Sequence, residues 1–446
     1  MPAAPSLLIV PYRSKTGKLY SQIPTSGAGD FTVTRNTEAR RFNSAGLIES
    51  VASGIPRLDY YTSGGTAGCP ALLVEPAATN LAPNANLMNV LDTPTVSGGV
   101  TFTTGSTDFV APDGTSATIN KYVGGAASGA TQNTRYGSTT IQASASGVHT
   151  YSVFVKRGAT NPLDFCAIAF ALFGSSSGTM TSYFNLASGT AITAGASIQN
   201  YGNGWYRLIS APVTLASADL SGTVSFNLAS TSGSLSFATS GALNLTAYTW
   251  GAQVETGSVA TSYIPTTTGT GSRSGDLVSV TGAVSGSIGQ TAGTIYCEFA
   301  YFGQPVTRSG PIFLRQADSR GISVNFAPTD SPLGIRFSSR NIAGTTSLNI
   351  VSGALQIGTY YKIAIAYDAA GTAAGGTQAS GVVAYVNGSQ VAIGTFQVPD
   401  AAGLTQFRMY GANSGSDTEA FNGRIRAAAL YTTRLTNAEL ATLTTL

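Results

Sequence analysis

Paired carboxylates are the first residues of this 446-residue chain that could do chemistry. Glycoside hydrolysis needs two carboxyl groups about 5–10 Å apart, one of them acting as the acid. Asp417 and Glu419 have the alternate spacing of one strand face, but they follow the loop-forming run 413–416. Glu298 lies in a predicted strand, and the next two positions on its face carry no acidic residue. We therefore expect no enzyme activity, although a site shared with a neighbouring subunit stays open.

The sequence gives little support for a histidine-based site or for a calcium site. His149 is the single histidine, which excludes a metal site built from several histidines and disfavours a Ser-His-Asp arrangement. Asn413, Asp417 and Glu419 could offer some oxygens to calcium, but the closely spaced acids of a calcium loop are missing. We predict no cofactor and no metal, and we keep these three residues as a candidate glycan or receptor loop. The long polar loop 369–381 is a second candidate.

The composition indicates an all-β protein. Apolar residues make up 43% of the chain, enough to bury several cores and to argue against disorder. Charged residues make up only 10%, against about 25% in an average domain. The 53 glycines and many Ser, Thr and Asn residues suit short strands joined by tight turns.

Charge and cysteine content limit the partners. A net charge of +3 without a basic stripe excludes an extended nucleic-acid interface. The longest apolar run, residues 166–173, is too short to span a bilayer, so we expect no membrane insertion. Cys69, Cys166 and Cys297 are far apart in apolar sequence. They predict buried free thiols in a protein made in a reducing cytoplasm.

Residues 86–265 predict a first β-sandwich, of the jelly-roll type. Residues 150–156 alternate between apolar and polar, as a strand with one buried face does, while residues 163–173 form a more continuous apolar run. Trp205 and Trp250 fall in predicted strands, and we expect them in the core rather than on a sugar-binding surface.

Residues 275–446 predict a second sandwich after a short flexible linker, residues 266–274. Asn387-Gly388 follows an apolar run directly and predicts a tight hairpin turn. Thr436 and Glu439 have the spacing of a capping box and predict a short C-terminal helix.

Residues 1–85 form an extended β segment with too little apolar surface for a domain. The strand 71–74 places Leu72 and Val74 on one face and Leu73 on the other, so we predict that these three residues make the attachment contacts. The partner surface could be trimer mates, the first sandwich or another virion protein, and we expect both sandwiches to fold without the segment. Lys18, Arg35 and Asp59 are expected to form local ion pairs.

Three groups of motifs resemble known families. G-L-I-E-x-V, P-R-L-D-Y and L-L-V-E-P-x-x-T-N-L in residues 46–81 resemble a segment of bacteriophage tail and other virion-appendage proteins. N-G-W-Y-R-L, W-G-A-Q-V-E and A-T-S-Y-I-P-T in residues 203–266 resemble the carbohydrate-binding-module-like sandwich of phage appendages. G-x-I-x-x-A-x-L-Y and L-T-x-x-E-L in residues 423–440 resemble the concanavalin A-like (laminin-G-like) fold, which hosts lectins, glycosidases and structural domains.

The resemblances imply a structural component of a phage particle. We expect a fibre-like tail or head appendage, assembled in the host cytoplasm, that contacts host surface glycans without hydrolysing them. Its expected partners are other virion proteins, copies of itself in a homotrimer, and these glycans; trimer symmetry would strengthen a weak glycan contact. Two alternatives stay open: a tailspike-type polysaccharide depolymerase, and a capsid decoration or head fibre protein with no ligand.

Overall fold

Alternating apolar residues and tight turns fold the chain almost entirely into strands, which confirms the predicted fold class. Within the described residues, helix is confined to α1 (Asn437–Thr444) and one turn of 3-10 helix at Ser285–Ser287. None of the described helices is long and apolar enough to cross a membrane. The computed structural model describes residues 3–83, 95–97, 99–127, 133–142, 146–171, 180–216, 221–231, 233–235, 241–242, 244–267, 269–282, 284–303, 309–316, 321–326, 334–340, 346–368, 381–394, 403–409 and 421–446.

The strands are numbered along the chain. The N-terminal segment, residues 1–85, holds β1 (Leu7–Ile9), β2 (Ser14–Lys15), β3 (Lys18–Leu19), β4 (Phe31–Thr34), β5 (Ala39–Phe42), β6 (Ile48–Val51), β7 (Leu58–Tyr61), β8 (Ala67–Val74) and β9 (Ala78–Asn80). The middle sandwich, residues 86–265, holds β10 (Thr95–Ser97), β11 (Thr101–Ser106), β12 (Ile119–Val123), β13 (Ala126–Ala127), β14 (Asn133–Gln142), β15 (Gly147–Arg157), β16 (Phe165–Ala171), β17 (Met180–Asn185), β18 (Thr190–Ala191), β19 (Ser197–Asn200), β20 (Trp205–Ile209), β21 (Val213–Leu215), β22 (Ser221–Ala229), β23 (Gly241–Ala242) and β24 (Thr246–Thr256). The rest of the chain holds β25 (Gly271–Arg273), β26 (Leu277–Thr281), β27 (Ala292–Tyr301), β28 (Ser309–Arg315), β29 (Gly321–Phe326), β30 (Gly334–Arg340), β31 (Thr346–Ala354), β32 (Tyr360–Asp368), β33 (Val382–Val386), β34 (Ser389–Gly394), β35 (Gln406–Arg408) and β36 (Gly423–Tyr431).

The C-terminal sandwich consists of an eight-stranded and a nine-stranded sheet. The first has the order β34-β33-β32-β27-β36-β8-β7, with β1 also paired to β36. The second has the order β2-β3-β4-β26-β35-β28-β29-β30-β31. Their inward side chains form one apolar core. Both sheets therefore contain strands from the two ends of the chain.

The N-terminal segment folds on the C-terminal sandwich. Strand β8 pairs with residues 423–425 of β36, and β1 pairs with residues 428–430 of the same strand. In the other sheet, β4 pairs with β26. Leu72 and Val74 lie in the core of this sandwich, with exposed fractions of 1% and 0%, and Leu73 is buried on the opposite face. Of the three partner surfaces proposed from the sequence, the segment does contact the first sandwich, where Leu81 and Ala82 join the core. Its strands pair with the C-terminal sandwich, which was not among the three. Attachment of the segment to a particle stays a prediction.

The middle sandwich has two sheets of its own. One has the order β10-β14-β22-β16-β17-β18, and the other has the order β11-β12-β24-β15-β20-β19, with β21 paired to β15. Residues 166–170 of β16 are all buried, so both faces of the strand are covered, as its continuous apolar run predicted. Trp205 and Trp250 are 2% and 1% exposed, which confirms that they belong to the core.

The hairpin turn and the helix cap predicted from the sequence are both present in the C-terminal sandwich. Asn387 and Gly388 have φ angles of 48° and 83° between β33 and β34, as the tight hairpin requires. The Thr436 hydroxyl accepts from the Glu439 N–H, and the Glu439 carboxylate accepts from the Thr436 N–H over 2.8 Å. This capping box begins α1, whose Leu440 is fully buried.

Two local expectations were wrong. Cys166 and Cys297 are buried free thiols, but Cys69 is exposed because it lies in the outer half of the β7–β8 hairpin. The expected flexible linker is ordered over Gly271–Arg273, which pair with Ala78–Asn80, and Arg273 is only 1% exposed. A buried cation needs fixed partners, so this part of the chain cannot be a free tether.

Candidate functional site

A cleft of about 570 Å³ lies where the N-terminal segment, the middle sandwich and the C-terminal sandwich meet. We call it the junction cleft. Strands β5 and β7 form one wall, and β19 and β20 form the second. The third wall consists of the start of β36, Phe302 after β27, and residues 357–360 at the start of β32. Its volume falls in the range of about 300–1,000 Å³ that is typical of ligand sites, and such sites are common between domains.

Five charged side chains are buried together at this junction: Arg35, Arg57, Glu75, Arg273 and Asp276. Arg35 Nη1 lies 3.0 Å from Asp276 Oδ1, and Arg57 Nη1 lies 2.6 Å from Glu75 Oε2. Arg57 also pairs with Asp276, and Arg273 Nη2 lies 3.5 Å from Glu75 Oε2. We call this group the ion cluster. It contains one more cation than anion, and backbone carbonyls accept the remaining hydrogen bonds of Arg35.

The ion cluster connects all three parts of the chain. Glu75 belongs to the N-terminal segment and accepts from the Ser262 N–H and hydroxyl of the middle sandwich, over 2.7 and 2.6 Å. Burial alone would raise the pKa of Glu75, but Arg57 and Arg273 hold it well below its ordinary value. Asn80 adds a second link, since its amide donates to the carbonyls of Ala252 and Ile264. These contacts fix the walls of the cleft relative to one another.

The expectation of local ion pairs in the N-terminal segment was wrong. Arg35 pairs with Asp276, 241 residues away, and Asp59 pairs with Arg424, 365 residues away. Lys18 donates to the Thr32 hydroxyl over 3.4 Å. Arg35 and Asp59 therefore form long-range ion pairs, because strands from the two chain ends lie side by side.

Aromatic rings line the cleft on two sides. The ring centroids of Tyr61 and Tyr201 lie 4.9 Å apart, and Phe42 meets both rings edge-on at 5.5 and 5.7 Å. Burial raises the pKa of both tyrosines, so their hydroxyls stay protonated. On the C-terminal sandwich, Phe302 and Tyr360 face the same space.

Two arginines of β36 lie over these rings. The Arg424 guanidinium lies 4.8 Å from the Tyr61 centroid and 4.6 Å from that of Phe302, and its Nε donates to Asp59 over 2.8 Å. Burial acts to lower the pKa of Arg424, but Asp59 raises it overall. Arg426 lies 3.5 Å from the Tyr360 centroid. Such cation–π contacts hold both guanidinium groups in place.

Two buried polar side chains of the cleft keep atoms without a hydrogen-bond partner in the described structure. Arg207 is 3% exposed, and its Nη2 donates to Ser152 over 3.0 Å while its Nε has no partner. Asn422 is 1% exposed, and neither its Nδ2 nor its Oδ1 is paired. Because buried polar groups are normally satisfied, these atoms represent unused binding capacity.

The residues predicted from sequence lie elsewhere. Asn413, Asp417, Glu419 and almost all of the loop 369–381 fall outside the described residues, so their role stays a prediction. Glu298 pairs with Arg426 over 3.3 Å, and His149 is fully buried with its Nδ1 3.0 Å from the Gly147 carbonyl. Among the described residues no group of three His, Cys, Asp or Glu side chains could hold a metal ion.

Sequence reasoning named two residues of the cleft lining, Asp59 and Leu73, but neither of them as a ligand-binding residue. Arg207 and Arg424 fall within motifs that carry the family resemblances, and Tyr61 directly follows one. The motifs were used there only as evidence for the fold. The alternate arginines 424 and 426 on one strand face were the available signal, since two neighbouring cations on an otherwise apolar strand need partners.

Comparison with known proteins supports the fold of the C-terminal sandwich. Residues 290–441 match the family model of the concanavalin A-like lectin/glucanases superfamily, which confirms the predicted fold for this part of the chain. No curated protein matches the chain.

Solved structures resemble parts of the chain at low identity. Domain 4 of the arabinanase AbnA from Geobacillus stearothermophilus, in complex with arabinotriose, is 16% identical over 39% of this chain and 77% of its own, with a TM-score of 0.30. The CBM40 of the Ruminococcus gnavus IT-sialidase is 16% identical over 35% and 85%, with a TM-score of 0.29. The Trypanosoma rangeli sialidase in complex with sialic acid is 12% identical over 73% and 60%, with a TM-score of 0.30.

Proposed function

We propose that the protein binds saccharides in the junction cleft without hydrolysing them, and that it does so as an appendage of a phage particle in contact with the host surface. The observation that carries the proposal is the combination of aromatic rings, arginines and unpaired polar atoms around one cleft. The match of residues 290–441 to a superfamily of lectins and glucanases supports the same class of ligand.

The lining of the cleft suits a sugar. A pyranose ring has apolar C–H faces and a rim of hydroxyl groups, so it needs flat apolar partners and hydrogen-bonding groups at the edges. Tyr61, Phe302 and Tyr360 offer rings with a polar tip or a charged neighbour. Arg207 and Asn422 offer polar atoms that the protein itself leaves unpaired.

The carboxylates of the cleft are committed to structural contacts, which favours binding over hydrolysis. Asp59 accepts from the N–H groups of Phe42 and Tyr61, each over 3.0 Å, and from Arg424. Glu75 belongs to the ion cluster, where its pKa is lowered rather than raised. A glycosidase acid needs a raised pKa and a free face toward the substrate.

The particle role rests on sequence resemblance. The motifs of residues 46–81 resemble virion-appendage proteins, and the two tandem sandwiches suit a projecting structural part. In a homotrimer three clefts would act together, which raises the avidity of a weak saccharide contact.

Binding is tested with the full chain on an array of bacterial surface saccharides, followed by titration calorimetry on those retained. We expect Tyr61→Ala to weaken binding by about tenfold, because it removes an aromatic ring from the cleft lining and the ring contact that holds Arg424 in place. Tyr12→Ala, at a 51% exposed tyrosine outside the cleft lining, should leave affinity unchanged. Equal affinities of wild type and Tyr61→Ala would remove the cleft from the proposal.

Two further measurements test the remaining parts of the proposal. Mass spectrometry of bound saccharides after long incubation should show unchanged chain lengths, and shortened products would establish a depolymerase instead. Antibody-labelled electron microscopy of purified particles should show the protein at the tail or head. Particles without the protein would contradict the virion role and leave the saccharide proposal standing.

A further inference from the structure

Unpaired polar atoms converge on the junction cleft from two sandwiches. The Nε atoms of Arg207 and Arg426 and both side-chain polar atoms of Asn422 are buried without hydrogen-bond partners. Arg207 lies on β20 of the middle sandwich, while Arg426 lies on β36 and Asn422 immediately precedes it. A ligand that reached these atoms would be held by both sandwiches at once.

Arg207 differs from the other arginines of the cleft because it has no carboxylate partner in direct contact among the described residues. Each of the others has a carboxylate partner: Arg40 with Glu38 at 3.1 Å, Arg41 with Glu49 at 2.6 Å, Arg424 with Asp59 at 2.8 Å, and Arg426 with Glu298 at 3.3 Å. For Arg207 the described part of the chain offers no carboxylate within ion-pair distance, and the buried Glu255 carboxylate acts on it only from beyond that distance. Its contacts there are neutral: the Ser152 hydroxyl, the Tyr201 hydroxyl and the Phe154 ring, whose centroid lies 5.5 Å away.

A buried guanidinium that makes no direct ion pair is costly, and an anion bound against it would offset much of that cost. The planar fork of arginine matches a carboxylate, which can accept two parallel N–H bonds. We infer that the saccharide bound in the junction cleft carries a carboxylate, that Arg207 binds this group, and that Asn422 hydrogen-bonds the neighbouring hydroxyls. The inference rests on the proposed function and names the ligand class of the same site.

The experiment compares matched pairs of saccharides that differ only in charge. Uronic-acid and sialic-acid oligosaccharides and their carboxyl methyl esters are presented to the full-length protein, and affinities are measured by titration calorimetry. We expect the free acids to bind and the esters to bind on the order of 30-fold more weakly, because esterification removes the negative charge that faces Arg207. Added sodium chloride should weaken only the binding of the acids.

Two variants locate the effect. Arg207→Gln should abolish the preference for the free acids, whereas Arg157→Gln removes the same charge from an ion pair with Asp164 in the same sandwich and should keep the preference. Asn422→Asp keeps the side-chain volume and places a negative charge in the cleft, so it should reject the acids even if Arg207→Gln fails to fold. Far-UV circular dichroism checks the fold of each variant.

Each outcome is decisive. Equal binding of acids and esters would overturn the inference while the proposed function stands. An acid preference that survives in a folded Arg207→Gln variant would do the same, and if that variant does not fold, a preference that survives in Asn422→Asp would do so. Binding to no saccharide of any charge would overturn the proposed function and the inference with it.

Discussion

Arg35 donates to Asp276 over 3.0 Å, although 241 residues of sequence separate them. Both side chains are buried, at 2% exposure, and the pair belongs to the ion cluster that also holds Arg57, Glu75 and Arg273. The pair lies beside the pairing of β4 with β26, where the N-terminal segment joins the second sheet of the C-terminal sandwich. The two ends of the chain therefore build one sandwich together, and the middle sandwich is inserted between them in the sequence.

Deletion of residues 1–85 should destabilise the C-terminal sandwich. Strands β1, β4 and β8 would be lost from its two sheets, and the β36 edge and its apolar core would be exposed to water. We expect residues 275–446 alone to aggregate or to be digested rapidly in limited proteolysis, contrary to the expectation from sequence. A protease-resistant fragment 275–446 with cooperative thermal unfolding would contradict this prediction.

Leu72→Ala should lower the free energy of unfolding by about 2–5 kcal/mol, because Leu72 lies in a closely packed core at 1% exposure. Urea denaturation followed by circular dichroism measures the change. Leu446→Ala removes the same atoms from a 72% exposed leucine and should stay within about 0.5 kcal/mol of wild type. Equal stabilities of the two variants would show that Leu72 of β8 does not pack in the core of the C-terminal sandwich.

Gly65→Ala should loosen the contact between the β7–β8 hairpin and the middle sandwich. A Cβ at Gly65 would overlap the backbone of Gly202, so the two loops would have to separate. Gly17→Ala is the matched control, since Gly17 has a similar φ, +74° against +70°, and open space around its Cβ position. Limited proteolysis near residue 202 should speed up in the first variant alone, and the same rate in both would argue against the close approach.

Glu75→Gln should reduce the dependence of stability on acid pH. The pKa of Glu75 lies below its ordinary value because, against the opposing effect of burial, Arg57 and Arg273 lower it. A group with a lowered folded pKa adds stability above its unfolded pKa, about 4.3, and loses it as pH falls through the folded pKa. The wild-type melting temperature should therefore fall more steeply below about pH 4.3 than that of the variant.

At neutral pH the same variant should be less stable than wild type by about 3–5 kcal/mol, because Arg57 loses one of its two buried carboxylate partners. Glu49→Gln breaks the Arg41 pair at a 35% exposed glutamate and should cost less than about 1 kcal/mol. If the melting temperatures of Glu75→Gln and wild type change equally with pH between pH 3 and 7, Glu75 is not the source of the loss of stability in acid.

The sequence by itself determined the local structure. Alternating apolar residues predicted the strand around Tyr151, and Asn387-Gly388 predicted a hairpin that has the required positive φ angles. Thr436 and Glu439 predicted the start of the only described α-helix. Each of these signals lies within a few residues of its effect, because side-chain period, turn geometry and helix capping act over one or two turns of chain. The two-sandwich class followed from the same signals.

The tertiary structure alone decided what the N-terminal segment packs against and where the candidate site lies. The apolar strand 71–74 indicated that it needed a partner, but many sheet edges could accept a strand of four apolar residues, and only the fold places it on β36. Likewise, Arg207 and Asn422 are 215 residues apart, and neither has a local pattern that relates it to the other. They line one cleft because strands from three parts of the chain meet there, and pairings across that distance leave no local periodicity to detect.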